Sequence, residues 1–275
     1  MLNTRAKIIG TQIRTNISDD ANIVFASVRA GLRNIQRVPY DLAVGEELAS
    51  HAVFCHPIQE MKGIGFRQKL SDLLMFSMSQ KLREINKLPI AKKIHIHIVF
   101  PKSDEENQSE SIFNELFDVL EEEPRFSFSS SQANDGVLRS LDTCLLKLEN
   151  NEYDHIFFGG VDSLVNSKSI HAYASNDILL TDKFPDGIGL GEGLSFVHLV
   201  RADFQTEYPV KAMLGTISYE SEKQSNDEYR KSLSESVKVL LGSEGIKNTH
   251  IETVIHNLGA DISSVYQRNQ LISDV

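Results

Sequence analysis

One segment near the middle of the chain constrains the fold most, because a strand, a helix and a second strand follow one another closely. Residues 126–129 read as a short strand, and residues 137–148 form an apolar stripe at helical spacing. Asn134-Asp135 can cap the start of this helix, and Asn150-Asn151 can end it. Residues 154–158 then have the apolar character of a buried strand. This order predicts a βαβ unit, whose crossover is right-handed in nearly all proteins.

Strand-like and helix-like patterns alternate along the rest of the chain, which is typical of an α/β protein. Further strands are expected at residues 6–15, 93–100, 194–200, 210–219 and 253–256. Helices are expected at residues 21–35 (capped by Ser18-Asp19-Asp20), 66–85, 111–121, 227–241 and 261–272. Between them we expect a loop containing Pro39 and Pro57, a helical or irregular stretch at 163–174, and a glycine-punctuated turn at 187–193. No tandem repeat or linker separates independent domains.

The composition excludes several classes of protein. The chain of 275 residues has 28 Lys and Arg against 38 Asp and Glu, a net charge of -10, which argues against nucleic-acid binding. No apolar run approaches the roughly 20 residues that span a bilayer, and the N-terminus lacks the apolar core of a signal peptide. The two cysteines, Cys55 and Cys144, have no CxxC spacing. We therefore expect a reduced, cytoplasmic protein that needs no membrane, metal or cofactor.

Four landmarks occur in the order found in the β-ketoacyl-acyl-carrier-protein synthases of the thiolase-like superfamily. Residues 28–35 resemble an early helix and turn of that family, and residues 131–148 take the place of its nucleophile elbow and the helix that follows. The segment from Asp154 through Gly159-Gly160 is similar to its "D-x-x-x-x-GG" strand and turn. Residues 186–193 resemble its "DG-x-x-x-GEG" signature. The order and spacing of all four, over residues 7–260, identify the chain as a divergent member.

The resemblance implies the layered αβαβα thiolase fold, in which each of two similar halves provides a mixed five-stranded sheet. The first half would cover residues 1–205, and residues 206–275 would be only the opening of the second half. A strand–helix unit at a terminus usually has more sheet after it. We therefore expect either an incomplete protein or a very short C-terminal half.

The family attacks an acyl thioester with a cysteine at a helix N-terminus, where unpaired amides and the helix dipole stabilise the thiolate and the oxyanion. Here the nucleophile position falls on or beside Asn134, and Gly136 resembles the glycine that closes the elbow. Leu258 stands where the first catalytic histidine would be, with His256 two residues earlier. The resemblance assigns Gly136, Gly191, Gly193 and Leu258 to substrate binding. Loss of both testable catalytic groups argues against condensation.

Other candidate sites have simpler explanations. His95 and His97 share a strand face, as a metal-binding His-x-His would, but no third ligand is evident and a polar strand face is favoured. Cys144 lies on the apolar stripe of its helix, about 15 Å from the helix start, and reads as a core residue. Ser129, Ser130 and Ser131 are read as a turn-rich run, and Cys55 beside His56 as structural. The run from Gly189 to Gly193 precedes a strand, which favours a tight turn over a phosphate loop.

The leading hypothesis is a catalytically degenerate synthase that serves as a non-catalytic partner or acyl-binding subunit in fatty-acid or polyketide-type synthesis. An acyl-carrier protein or acyl-CoA and an active synthase are the expected partners, in a homo- or heterodimer. One alternative is a cysteine-independent acyltransferase or decarboxylase, in which Asn134 or a nearby serine helps an oxyanion hole. The other alternative is a purely structural, dimer-forming protein.

Overall fold

The computed structural model describes residues 4–44, 47–61, 65–85, 93–101, 112, 126–132, 137–205, 210 and 212–214. The strands are β1 (Ala6–Thr15), β2 (Gln36–Val44), β3 (Glu47–His56), β4 (Ile94–Phe100), β5 (Phe126–Gln132), β6 (His155–Ser163), β7 (Leu190–Arg201) and β8 (Ala212–Leu214). The helices are α1 (Ala21–Arg29), α2 (Phe66–Ile85), α3 (Val137–Glu149) and α4 (Ser167–Ala174). A short 3₁₀ helix covers Gln59–Met61.

All of these strands belong to one mixed sheet, with the order β2-β3-β7-β6-β4-β5 and with β1 paired to β7 and β8. Strand β4 runs parallel to both β5 and β6, whereas β7 runs antiparallel to β6 and to β1. The predicted βαβ unit is present as β5, α3 and β6, although β4 lies between the two strands. The α/β prediction is therefore confirmed.

Helices cover both faces of the central strands. The isoleucines of β4, such as Ile96, pack against Leu70, Leu73 and their neighbours on α2. On the opposite face, Cys144, Leu145 and Leu148 of α3 pack against β6 and β7. Every residue of β4 is buried, because successive side chains point to opposite faces and each face carries a helix. The central strands therefore lie between two helical layers.

The first helix begins where the sequence predicts and ends earlier. Asp20 is the N-cap, and its carboxylate accepts hydrogen bonds from the backbone N–H groups of Asn22 and Ile23. Helix α1 ends at Arg29 rather than near residue 35, because Gly31 adopts a positive φ of 67° that stops the helix. The predicted apolar face is not buried in this structure: Val28 is 64% exposed.

A β-hairpin replaces the loop predicted around Pro39 and Pro57. Strands β2 and β3 pair antiparallel, and β3 joins the sheet through a short parallel contact of Cys55 and His56 with the start of β7. Pro39 lies in β2, the terminal strand of the sheet order, where a missing N–H is tolerated. The loop prediction was wrong because one proline does not break a strand at a sheet edge.

Two glycine-rich segments predicted as turns lie inside strands. Gly159 and Gly160 belong to β6, and Gly191 and Gly193 belong to β7. A Cβ on Gly159 would come within 2.1 Å of the Ser195 carbonyl oxygen, so glycine is required there by the close approach of β7. The tight-turn prediction for residues 187–193 is therefore wrong over its second half.

The remaining predicted helices and strands lie partly within the described residues. The stretch left open at 163–174 contains α4, which Asn166 caps through the backbone N–H of Ser169. Within the strand predicted at 210–219, residues 212–214 form β8, and residues 211 and 215–219 lie outside the described residues. The helices predicted at 111–121 (Ile112 excepted), 227–241 and 261–272 and the strand at 253–256 lie outside the described residues. Among the helices that the structure describes, none has the length and apolar character needed to cross a membrane.

Candidate functional site

A cavity of about 370 Å³ opens at one end of the sheet, where β4 and β6 finish. The carboxyl ends of the parallel strands β4, β5 and β6 meet at this end, which is where open α/β sheets usually bind ligands. Its walls are mostly apolar, and they come from the ends of β4 and β6, the start of β7 and the end of β1. The residues are Ile13, Thr15, Val99, Phe100, Pro101, Gly160, Val161, Asp162, Gly193, Leu194 and Ser195.

Asp162 is the ionisable residue in this wall. Asp162 lies four residues after Phe158 on β6, so the two side chains point to the same face of the sheet. Phe158 packs in the cluster under α3, and Asp162 therefore lies on the α3 face. Burial raises the pKa of its carboxyl group, against the opposing effect of a hydrogen bond from the Ser163 backbone N–H. Within the described residues, Asp162 Oδ1 is buried without a hydrogen-bond partner. The cavity therefore combines apolar walls with one carboxyl group that burial shifts toward its protonated form.

The predicted nucleophile position cannot be placed directly. Asn134 and Gly136 lie outside the described residues, as does Leu258 with the neighbouring His256. The flanking elements are described: β5 ends at Gln132 and α3 begins at Val137. The strand–helix order expected around the elbow is thus present, and the roles assigned to Asn134, Gly136 and Leu258 stay predictions.

The two glycines assigned to substrate binding differ in their surroundings. Gly193 lines the cavity, and a Cβ there would lie 2.9 Å from the Arg14 carbonyl oxygen of the neighbouring β1. A Cβ on Gly191 would make only an ordinary 3.8 Å contact with His56 Cβ, and Gly191 is not part of the cavity wall. The close approach of β1 gives Gly193 a structural reason to be glycine.

Sequence reasoning missed the role of Glu192, which lies between these glycines. Its Oε2 accepts hydrogen bonds from Lys69 Nζ at 2.8 Å and from Ser163 Oγ at 2.7 Å. Its Oε1 accepts one from the Ile58 backbone N–H at 2.7 Å, and Lys69 Nζ also donates to the Val165 carbonyl at 3.0 Å. The sequence signal that could have indicated this role is a glutamate between two glycines at the start of an apolar strand. The GEG motif therefore contributes a buried polar anchor for α2 and the end of β6.

The cysteines are buried, as predicted for structural residues. Cys55 is 0% and Cys144 is 1% exposed, and burial raises the pKa of each thiol to about 11. The mostly neutral thiols make poor nucleophiles. The serines predicted as a turn-rich run instead belong to β5, where Ser129 and Ser131 contact His97 of the neighbouring strand. That prediction was wrong because the cross-strand pairing of β5 with β4 is not visible in the local sequence.

Comparison with solved structures finds ketosynthases. A chain of the ishigamide ketosynthase/chain length factor aligns with a TM-score of 0.68 at 12% identity, over 99% of this chain and 82% of that one. A chain from a structure described as a type II polyketide synthase acyl-carrier protein in complex with its ketosynthase gives a TM-score of 0.62 at 12% identity. The alignment covers 90% of this chain and 71% of that one. A ketosynthase of the bacillaene polyketide synthase of Bacillus amyloliquefaciens gives 0.56 at 15% identity, over 96% and 55%.

Scans of the sequence against family models and against curated proteins give no match. The structural matches, at 12–15% identity, show a shared fold. The class that they and the sheet define is the thiolase-like ketosynthase fold. The chain covers 82% and 71% of the first two of these chains, but only about half of the bacillaene ketosynthases. The fold expected from the four sequence landmarks is confirmed.

Proposed function

We propose that this chain is a ketosynthase-like subunit that does not itself catalyse condensation. It acts as the partner of an active synthase, or as an acyl-binding subunit, in polyketide or fatty-acid-type synthesis. The observation that supports this most is the combination of a ketosynthase fold with Asn134 at the position matched to the thiol nucleophile.

The chemistry of the matched residues explains the loss of condensation. Acyl transfer to the enzyme needs a group that can form a thioester, and the amide of Asn134 cannot do so. The two thiols of the chain lie buried elsewhere, with pKa values raised to about 11. Leu258 has no proton to transfer where the family uses its first histidine.

The proposed ligand is an acyl chain delivered by an acyl-carrier protein or by coenzyme A. The mostly apolar cavity at the end of β4 and β6 offers a wall that suits a hydrocarbon or polyketide chain. One structural neighbour is described as an acyl-carrier protein in complex with its ketosynthase, which supports a carrier protein as the partner. A neighbour described as a ketosynthase/chain length factor supports a role beside an active subunit.

We further propose a two-fold assembly through β5. Among the described residues, β5 pairs with β4 on one side and ends the strand order of the sheet. An edge strand presents unpaired N–H and C=O groups that a second strand can use. The partner is either a second copy or an active synthase.

We also propose that residues 1–205 form the first thiolase-like half, that residues 206–275 begin the second, and that the chain works in the reduced cytoplasm.

The test is a condensation assay with the purified full chain, malonyl-carrier protein and acyl-carrier protein. We expect no β-ketoacyl product from the lone chain, and a change in product chain length when it is added to an active synthase with which it copurifies. Asn134→Ala should leave both results unchanged. Robust condensation by the lone chain would refute the proposal.

Asp162 favours one alternative, a cysteine-independent decarboxylase or acyltransferase. A carboxyl group whose pKa burial raises can donate a hydrogen bond to a thioester carbonyl in the cavity. In this case Asn134→Ala and Asp162→Leu would each abolish acyl-CoA turnover by a chain that remains folded. The absence of any turnover by the unaltered chain would exclude this alternative.

A further inference from the structure

We propose that His95, His97 and Cys144 form a binding site for a soft, closed-shell cation, Cu(I) or Zn(II), between β4 and α3. One donor atom from each of the three residues lies within 4.8 Å of the other two. All three side chains are buried, at 2%, 7% and 1% exposed. A thiolate with two imidazoles is a donor set that these cations prefer.

The geometry needs only a small contraction around an ion. Metal–nitrogen bonds of about 2.0 Å and metal–sulfur bonds of about 2.3 Å place the donor atoms roughly 3.5–4 Å apart. The three donors already converge from a strand and a helix that pack together in one core layer. Closing the cluster therefore requires movements of about 1 Å rather than a rearrangement of the fold.

A serine ladder orients both imidazoles. Ser129 Oγ lies 2.8 Å from His95 Nε2 and 2.7 Å from His97 Nδ1, between the two rings. The other nitrogen of each ring contacts a flanking serine: His95 Nδ1 lies 2.6 Å from Ser127 Oγ, and His97 Nε2 lies 3.0 Å from Ser131 Oγ. Both nitrogens of each ring thus contact a serine, and an ion bound at one nitrogen would replace the serine there. The serine on the other nitrogen would remain and fix the ring and its tautomer, as the second partners of histidine ligands typically do.

The contact with Lys147 indicates which nitrogen of His95 could bind an ion. Lys147 Nζ lies 3.4 Å from His95 Nε2, and an ammonium can only donate. Nε2 therefore accepts from Lys147, and Nδ1 carries the ring proton and donates it to Ser127. An ion that binds Nε2 would take over the lone pair that Lys147 and the Ser129 hydroxyl contact in this structure.

Lys147 occupies the position of a competing cation. It is half-buried beside Tyr153, whose ring stacks on His95, so this side of the cluster borders the surface. The ion would enter here, displace the ammonium from His95 Nε2 and release the Cys144 proton to solvent. With one thiolate, Cu(I) gives a neutral complex, whereas Zn(II) leaves a positive charge near Lys147 and needs a fourth donor. Cu(I) is therefore the expected cation.

The experiment titrates the purified full chain with each cation in competition with a chelator of known affinity, Cu(I) being kept reduced and anaerobic. We expect one ion per chain. Cys144→Ser and His97→Gln should weaken binding by at least about 100-fold. Cys55→Ser is the matched control, a second buried thiol away from the cluster, and should bind as the unaltered chain does. Lys147→Met should tighten binding by about tenfold, because it removes the repelling charge.

X-ray absorption of the loaded, unaltered chain makes the result independent of variants that fail to fold. We expect one sulfur and two imidazole nitrogens around the ion. A sulfur-free shell, binding indifferent to Cys144→Ser, or no binding to either cation would overturn the proposal. Site-dependent binding of either cation supports it, and the tighter of the two identifies the ion. Since the assay measures no acyl chemistry, its outcome is separate from that of the proposed function.

Discussion

Lys69 and Glu192 form an ion pair in the interior, with Nζ 2.8 Å from Oε2 and with side chains only 5% and 0% exposed. Ser163 and the Ile58 N–H donate further hydrogen bonds to Glu192, and the Val165 carbonyl accepts one from Lys69. The pair thus joins α2 to the start of β7 and to the end of β6, directly beside the segment that lines the cavity.

Removing one partner of this pair should be strongly destabilising. Glu192→Ala leaves the Lys69 ammonium buried and unpaired, and we expect it to lower the unfolding free energy by about 3–5 kcal/mol in urea denaturation. The double variant Lys69→Met with Glu192→Leu removes both charges and should cost clearly less than Glu192→Ala. A double variant that loses as much stability as the single one would contradict this account.

Gly159→Ala should disrupt the pairing of β6 with β7. The new Cβ would lie 2.1 Å from the Ser195 carbonyl oxygen and 2.6 Å from Phe196 Cα, which are main-chain atoms that move only with the strand. We expect a loss of about 3 kcal/mol in thermal or urea unfolding. Gly191→Ala is the matched control in the partner strand, because its Cβ meets nothing closer than 3.8 Å. Equal effects of the two substitutions would argue against this pairing.

Acid should destabilise the metal-free chain through His95 and His97. Their folded pKa values, about 3 and about 4, lie below the ordinary value of 6.5, so the unfolded chain binds protons that the folded chain does not. The unfolding free energy should therefore fall as the pH drops from about 6.5 toward 4, by up to about 1.4 kcal/mol per pH unit for each ring.

The measurement for the two histidines is urea denaturation with a chelator present, at several pH values between 7 and 4. His97→Gln should reduce the slope of unfolding free energy against pH in this window. His171→Gln, on the exposed part of α4, is the control and should leave the slope unchanged. A slope that His97→Gln does not alter would show that other groups dominate acid unfolding.

Protonation of Asp162 should have the opposite effect on stability: it should raise the unfolding free energy as the pH falls. Burial raises the pKa of its carboxyl group, so the folded chain favours the protonated form and Asp162 contributes most to stability at low pH. Asp162→Asn keeps the shape without the charge. The unfolding free energy of the unaltered chain should rise relative to that of Asp162→Asn as the pH falls through the raised pKa toward the ordinary value of 3.8, and the difference should level off below that value. A difference that stays constant between pH 7 and 3 would contradict the raised pKa.

Local sequence signals predicted the elements whose stabilisation is local. Asp20 caps α1 because its carboxylate bonds N–H groups two and three residues on, and the stripe through Leu145 and Leu148 marks the buried face of α3. The fold class followed from the alternation of such elements and from four landmarks in order. None of these inferences requires knowing which strands are neighbours.

The missed features all depend on pairing between distant segments. The hairpin of β2 and β3 was hidden by Pro39, which only an edge position allows. The glycines of β6 and β7 look like turn residues until the two strands are placed side by side. Cys144 joins His95 and His97 only because α3 crosses the face of β4. Register and packing, not local propensity, determine these contacts.

The cavity wall contains Gly160 and Gly193, where main chain takes the place of side chains. The width of the cavity beside these glycines cannot be changed by substituting either one, since a Cβ at either glycine would lie about 3 Å or less from a neighbouring carbonyl oxygen. The spacing between the strands therefore determines the width of the cavity beside Gly160 and Gly193. If an acyl chain binds here as proposed, differences in the ligands accepted would depend on the larger side chains of the wall, such as Ile13, Phe100 and Leu194.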